Sequence, residues 1–135
     1  MKKLIQTLFF TLFIISCLCS KQGLGWPWNG NSNDFSLFRN SKHISWVYNW
    51  ENWRPQGLPS NFEYIAMQRT SKGIEGLRSA MLNNHARILL GFNEPDISSQ
   101  ANMSPDQAVR LWHQYIKPTA RDLRHNGIPW LRDFL

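Results

Sequence analysis

Apolar positions along the chain fall into short strand-like runs separated by two segments of helical period. Gly23-Leu24-Gly25-Trp26-Pro27-Trp28 reads as a short strand that breaks at Pro27, and residues 29–33 form a Gly/Asn/Ser loop. His43-Ile44-Ser45-Trp46-Val47-Tyr48-Asn49-Trp50 is rich in β-branched and aromatic residues and predicts a second strand. Residues 52–60 hold two Pro and a Gly and make a loop, after which Phe62-Glu63-Tyr64-Ile65-Ala66-Met67-Gln68 predicts a third strand. Ile74, Leu77, Met81 and Leu82 recur at helical spacing, with Asn83-Asn84 ending that helix. Residues 87–92 are nearly all apolar, as in parallel strands buried on both faces. Ser104, Pro105 and Gln107 have the layout of a helix start, with a capping Ser, Pro at the first position and the last member of a capping box. Ala108, Leu111, Trp112, Tyr115 and Ile116 share one face of that helix, Arg110, His113 and Gln114 point the other way, and Pro118 is expected to stop it. Strands alternating with helices predict an α/β fold with a parallel sheet.

The amino terminus departs from this pattern. Met1-Lys2-Lys3 is a basic start, residues 4–18 are an almost uncharged apolar run, and small residues Cys17, Cys19 and Ser20 follow. This is the layout of a secretory signal peptide over residues 1–20, cleaved near Ser20. The run is shorter than the roughly 20 residues that span a bilayer, so no stable membrane insertion is expected after cleavage. Ile14-Ile15-Ser16-Cys17 also fits a bacterial lipoprotein signal, which would anchor the chain through Cys17. Both cysteines lie in this segment, so residues 21–135 form the domain and carry no disulfide. The expected location is extracellular or the cell wall. Asn102-Met103-Ser104 is a glycosylation sequon with Pro105 directly after it.

At 135 residues the chain is one domain at most and too short for a whole (β/α)8 barrel, which needs about 250. Its formal net charge is +6, but no Lys/Arg cluster of the kind that tracks phosphates is present, so nucleic acid is not the expected partner. A basic secreted protein also suits anionic surfaces. The four His are scattered without metal-ligand spacing, and no motif calls for a metal or cofactor. Seven Trp are many for this length, and Trp is a common platform for flat apolar ligand faces. Trp26, Trp28, Trp50 and Trp53 fall at strand ends or in loops, where they stack on sugar rings or pack the rim, whereas Trp46, Trp112 and Trp130 read as core. Tyr48 and Asn49 end the second strand, and alternation turns one of them away from a cleft there.

The chemistry is concentrated in Leu89-Leu90-Gly91-Phe92-Asn93-Glu94-Pro95-Asp96, a buried strand running into polar residues. The loop just past a parallel strand is where α/β folds hold ligands and catalytic groups. Glu94 is a candidate general acid there, held extended by Pro95; the competing role is a solvated loop Glu that caps the next helix. This string, followed by Gln100-Ala101-Asn102-Met103-Ser104-Pro105, by Ala108, by Leu111-Trp112 and by Tyr115-Ile116-Lys117-Pro118, resembles the signature of glycoside hydrolase family 128, the alkali-sensitive-linkage-type glycosyl hydrolase catalytic domain. Upstream, Lys21-Gln22-Gly23-Leu24-Gly25-Trp26, Ser45-Trp46-Val47-Tyr48-Asn49-Trp50 and Glu63-Tyr64-Ile65-Ala66-Met67 resemble its first three strands in order. The resemblance covers the chain from Lys21 to Pro118.

The resemblance implies a (β/α)8 barrel that cleaves β-1,3-glucan with retention of configuration. In it, Glu94 would be the acid/base after the fourth strand, Asn93 would contact the sugar 2-hydroxyl, and a second Glu after the seventh strand would be the nucleophile. Trp26, Trp28, Tyr48, Asn49 and Trp50 would bind the glucan. Ala66 and Arg69 stand where the family pattern has Pro and Trp after the third strand, which removes one sugar platform. No Glu follows Glu94; the later acids are Asp96, Asp106, Asp122 and Asp133. The stretch between Pro118 and Trp130 is polar, and Gly127-Ile128-Pro129-Trp130-Leu131-Arg132-Asp133-Phe134-Leu135 resembles a helix that belongs after a fifth strand. The chain therefore reads as a partial TIM barrel, roughly the first four βα units, with an internal deletion and an early stop. Three functions compete: a secreted glucan hydrolase incomplete in this chain, a noncatalytic glucan-binding relic, and a basic secreted or lipid-anchored protein acting by surface charge. An open sheet edge would allow self-association.

Overall fold

The computed structural model describes residues 22–125, so the targeting segment with Cys17, and the residues around Trp130, lie outside the described residues. Four strands lie side by side in chain order: β1 (Gln22–Gly25), β2 (Ile44–Tyr48), β3 (Glu63–Met67) and β4 (Ile88–Leu90). All three pairings are parallel. Residues opposed in register share a face of the sheet. Leu24 opposes Val47, Val47 opposes Tyr64, and Ala66 opposes Leu89, so these five lie on one face. Trp46, Tyr48, Ile65, Met67 and Leu90 lie on the other, with Gly23 and Gly25. This is an α/β arrangement, with the strand order of the first part of a (β/α)8 barrel.

The first face carries the core. Val47, Tyr64 and Ala66 are buried against Phe35, Ile74, Leu77, Met81 and Leu123. Side chains the size of Val47, Ile74, Leu77, Met81 and Phe35 contribute about 1.5–3 kcal/mol each when fully buried. Phe35 is delivered by a 3-10 turn, Ser32–Leu37, that follows β1 and is capped by Asn31. Ile74 comes from a second 3-10 turn, Ile74–Gly76, and Leu77 and Met81 from α1 (Leu77–Asn83). Glycine makes the entry to that helix possible: Gly73 turns the chain at φ 69°, a conformation other residues avoid. Asn84 ends α1 as expected. Its amide donates to the Ala80 and Asn52 carbonyls and accepts from Arg54 N, which ties the β2–β3 loop to the helix end.

Three elements differ from the sequence pattern, each for a local reason. The fourth strand is shorter than residues 87–92, and its three residues are half-buried rather than buried on both faces. Its only strand neighbour among the described residues is β3. The first strand ends at Gly25, although Trp26 N still donates to the Tyr48 carbonyl at 2.7 Å before Pro27 removes the next donor. The third difference is at Pro118, which does not stop its helix. Ser104 Oγ accepts from Gln107 N at the start of α2 (Pro105–Leu111). A π turn, Trp112–Ile116, follows, and α3 (Lys117–His125) runs on from it. The carbonyl that the Pro118 ring would strike is that of Gln114, inside the π turn. The wider turn moves that carbonyl off the α path and shifts the hydrogen-bond ladder where proline lacks a donor.

Candidate active site

The carboxyl ends of the four strands bring Trp28, Asn49, Trp50, Arg69, Asn93 and Glu94 to one edge of the sheet. With Pro27 and Gln100 they line a cleft of about 330 Å³. A lobe of about 290 Å³, shared through Pro27, Trp28 and Asn49, extends it toward Trp26 and Trp53. Another of about 550 Å³, shared through Arg69 and Gln100, extends it toward Glu51 and Lys72. A further hollow, about 590 Å³, lies at the opposite edge beside Glu63, His85 and Arg87, far along the strands from Glu94. The cleft at the carboxyl edge holds the candidate chemistry, as α/β architecture leads one to expect.

Glu94 is exposed and opens onto this cleft, but its backbone is not extended. It sits at φ 42°, in the left-handed region, in spite of Pro95. Three hydrogen bonds override the local preference: Ile97 N to the Glu94 carbonyl (3.0 Å), Ala101 N to the Asn93 carbonyl (3.2 Å) and Met103 N to the Pro95 carbonyl (2.7 Å). Ala101 and Met103 are buried and anchor the returning loop. Such a backbone costs about 1–3 kcal/mol and persists only where its surroundings over-determine it. Trp50, just past β2, is also left-handed, at φ 60°. Two strained residues thus face one cleft from the ends of two strands.

The aromatic candidates divide by role. Trp28 is 68% exposed on the rim. Trp50 folds back over β1 and leans on Tyr48, with ring centroids 4.6 Å apart. Tyr48 shares the open sheet face with Trp46, 6.2 Å away, so Trp46 lies on that face rather than in the core. Trp112 packs against the core as expected. Trp26 stacks on Phe35 at 3.9 Å, which covers one of its two faces. Alternation turns Asn49 away from Tyr48: Asn49 is buried, donates to the Trp53 carbonyl and accepts from Glu51 N. The Tyr64 hydroxyl lies 3.0, 2.6 and 2.8 Å from Asn49 Oδ1, the Glu51 carbonyl and the Trp53 carbonyl, so one proton serves three acceptors. Burial, and then the Glu51 carboxylate, hold this hydroxyl well above the usual tyrosine range.

Two residues of the cleft were not among the candidates. Gln100 Oε1 accepts from Asn93 Nδ2 at 3.0 Å and from an Arg69 guanidinium nitrogen at 3.1 Å. Arg69 also lies 3.7 Å from Glu51 Oε1, and its carbonyl accepts from Asn93 N at 2.9 Å. The signal for Arg69 was its place two residues past β3, at the same edge as Glu94. Among the described residues no group of three or more His, Cys, Asp or Glu is placed to hold a metal ion. No helix of the described residues is long and apolar enough to cross a membrane.

A parallel βα sheet with a strained Asn-Glu-Pro turn at its carboxyl edge sets a carboxyl group where α/β folds hold ligands and catalytic groups. The chain belongs to the glycosyl hydrolase catalytic core family, whose model matches residues 23–135. In sequence and fold it is similar to β-1,3-glucanases of family 128. It is 29% identical over 131 residues to alkali-sensitive linkage protein 1 of Schizosaccharomyces pombe, covering 89% of this chain and 24% of that one. A curdlan-specific exo-β-1,3-glucanase of family 128 (subgroup III) from Blastomyces gilchristii, solved with glucose, superposes with a TM-score of 0.63. It is 33% identical, over 76% of this chain and 44% of its own. A family 128 (subgroup IV) endo-β-1,3-glucanase from Lentinula edodes gives a TM-score of 0.59 at 25% identity, over 71% and 41%. The chain thus spans about a quarter of the first relative and under half of the two solved enzymes.

Proposed function

We propose that this domain binds β-1,3-glucan of cell walls and carries the acid/base half of a retaining glycosidase site, in a secreted protein. The observation that carries the reading is the cleft at the carboxyl edge, which Asn93 and a strained Glu94 line together with Trp28 and Trp50. Glu94 is the group that protonates the leaving oxygen, and Asn93 contacts the 2-hydroxyl of the sugar under attack. Trp28, Trp50 and Tyr48 offer apolar surface to sugar rings, with Trp26 lining the lobe at the far end of the cleft. Asn49 acts from below by fixing the loop that carries Trp50 to Trp53. The basic start and apolar run of residues 1–20 support export.

Retention needs two carboxyl groups about 5 Å apart on opposite faces of the sugar. No Glu follows Glu94 in these 135 residues, and Asp96 sits on the same turn as Glu94. A polypeptide of these residues is therefore expected to bind laminari-oligosaccharides and to hydrolyse them negligibly, since losing one member of a catalytic pair removes most of the rate. Calorimetry and a reducing-sugar assay on laminarin test both halves. Robust hydrolysis that survives Glu94→Gln overturns the assignment of Glu94, and binding to anionic polymers but not to laminarin overturns the glucan reading.

A further inference from the structure

The hydrogen bonds around Asn93 form a chain with only one possible direction. A guanidinium has donors and no acceptor. The Gln100 atom that meets Arg69 at 3.1 Å must therefore be the oxygen. That oxygen lies 3.0 Å from the Asn93 side-chain amide, so the Asn93 atom facing it must be the nitrogen. The Asn93 oxygen is then turned away from Gln100. An amide left to itself presents either end; here the cation at the far end of the chain fixes the choice. Glu51, 3.7 Å from Arg69 on its other side, and the bond from Asn93 N to the Arg69 carbonyl hold the cation in place.

We propose that Arg69 is a positioning residue which, through Gln100, sets the Asn93 amide so that its oxygen is offered to a donor hydroxyl of the sugar. This rests on the glucan reading above and extends it. The position that loses an aromatic platform gains a cation that fixes the polarity of the neighbouring amide. The chemistry requires a donor-only side chain at position 69. Arg69→Lys, which keeps a cation and no acceptor, should preserve the setting. Arg69→Gln, of similar polarity but able to accept, should release it, and Arg69→Met should do the same.

Two measurements on the whole chain test this. In nuclear magnetic resonance spectra, the Asn93 side-chain amide of the parent and of Arg69→Lys should give one shifted, slowly exchanging proton pair. In Arg69→Gln and Arg69→Met that pair should move toward free-amide values and exchange at least tenfold faster, with thermal melting confirming that each variant folds. By calorimetry, laminaritriose should bind Arg69→Gln and Arg69→Met about tenfold more weakly than the parent, while its analogue lacking 2-hydroxyls should bind all four proteins alike. An Asn93 amide unchanged in Arg69→Met, or Arg69→Gln behaving as Arg69→Lys does, overturns the proposal. If the parent binds no laminaritriose, the glucan reading falls, and the amide spectra still decide whether Arg69 sets Asn93.

Discussion

At the scale of single residues, the cleft holds strain and buried polarity that the surrounding bonds sustain. Glu94 is held left-handed by three backbone hydrogen bonds, so glycine, which adopts that conformation freely, should relieve the cost. Glu94→Gly is expected to stabilise the fold by about 1 kcal/mol in urea unfolding while removing the proposed acid. A destabilised Glu94→Gly would mean that the Glu side chain contributes more to the fold than its backbone costs. Tyr64 presents the opposite case. Its hydroxyl ties three groups of the β2–β3 loop together, and Tyr64→Phe is expected to cost about 1–3 kcal/mol, since buried acceptors lose their donor. The pH dependence follows from the raised titration of this hydroxyl. Its folded value exceeds the unfolded value of about 10, so its contribution is whole below about pH 10 and fades as pH rises above that. Between pH 9 and 11, the parent should lose more stability than Tyr64→Phe does.

At the scale of elements, the strands and their carboxyl edge are legible in the sequence because runs such as Ile44-Ser45-Trp46-Val47-Tyr48 carry their signal locally. The left-handed turn at Glu94 was not legible, since Pro95 predicts the reverse and the bonds that decide it come from Ala101 and Met103. The same holds for the helix across Pro118, where a π turn reconciles what proline alone forbids, and for Arg69 and Gln100, which meet 31 residues apart in the chain. The two glycines of β1 look like a weakness until the sheet is seen. A Cβ at Gly23 would lie 2.1 Å from the Trp46 ring, which rests across β1. Gly23→Ala is therefore expected to destabilise by about 1–3 kcal/mol through overpacking. Gly76, at φ −85° with nothing within 4 Å of its would-be Cβ, supplies the contrast. Gly76→Ala should stabilise by about 0.4–1 kcal/mol. Equal effects in urea unfolding would show that Trp46 yields to a methyl group.

At the scale of the whole molecule, among the described residues, one face of the sheet carries the buried core and the other is only half-buried. Ile74, Leu77, Met81, Ile116 and Leu123 join the cluster on the face of Val47, Tyr64 and Ala66. The other face carries Trp46, Tyr48, Ile65, Met67 and Leu90, all only half-buried. Among the described residues β1 and β4 each have a strand neighbour on one side alone. Unpaired strand edges beside an apolar face favour pairing with another chain. Ion pairs on the surface do little to oppose this: Arg78–Asp122 is exposed and Arg87–Glu63 partly so, and such pairs are worth about 0–1 kcal/mol. A polypeptide of residues 21–135 is therefore expected to self-associate at micromolar concentration, as dimers or larger species in sedimentation. Ile65→Lys places a charge in the middle of the open face and should shift the distribution toward monomer without lowering the helix signal in circular dichroism. A parent chain that sediments as a stable, cooperative monomer would mean that residues beyond the described ones cover this face, and the apolar sheet surface would then belong to the interior of the fold.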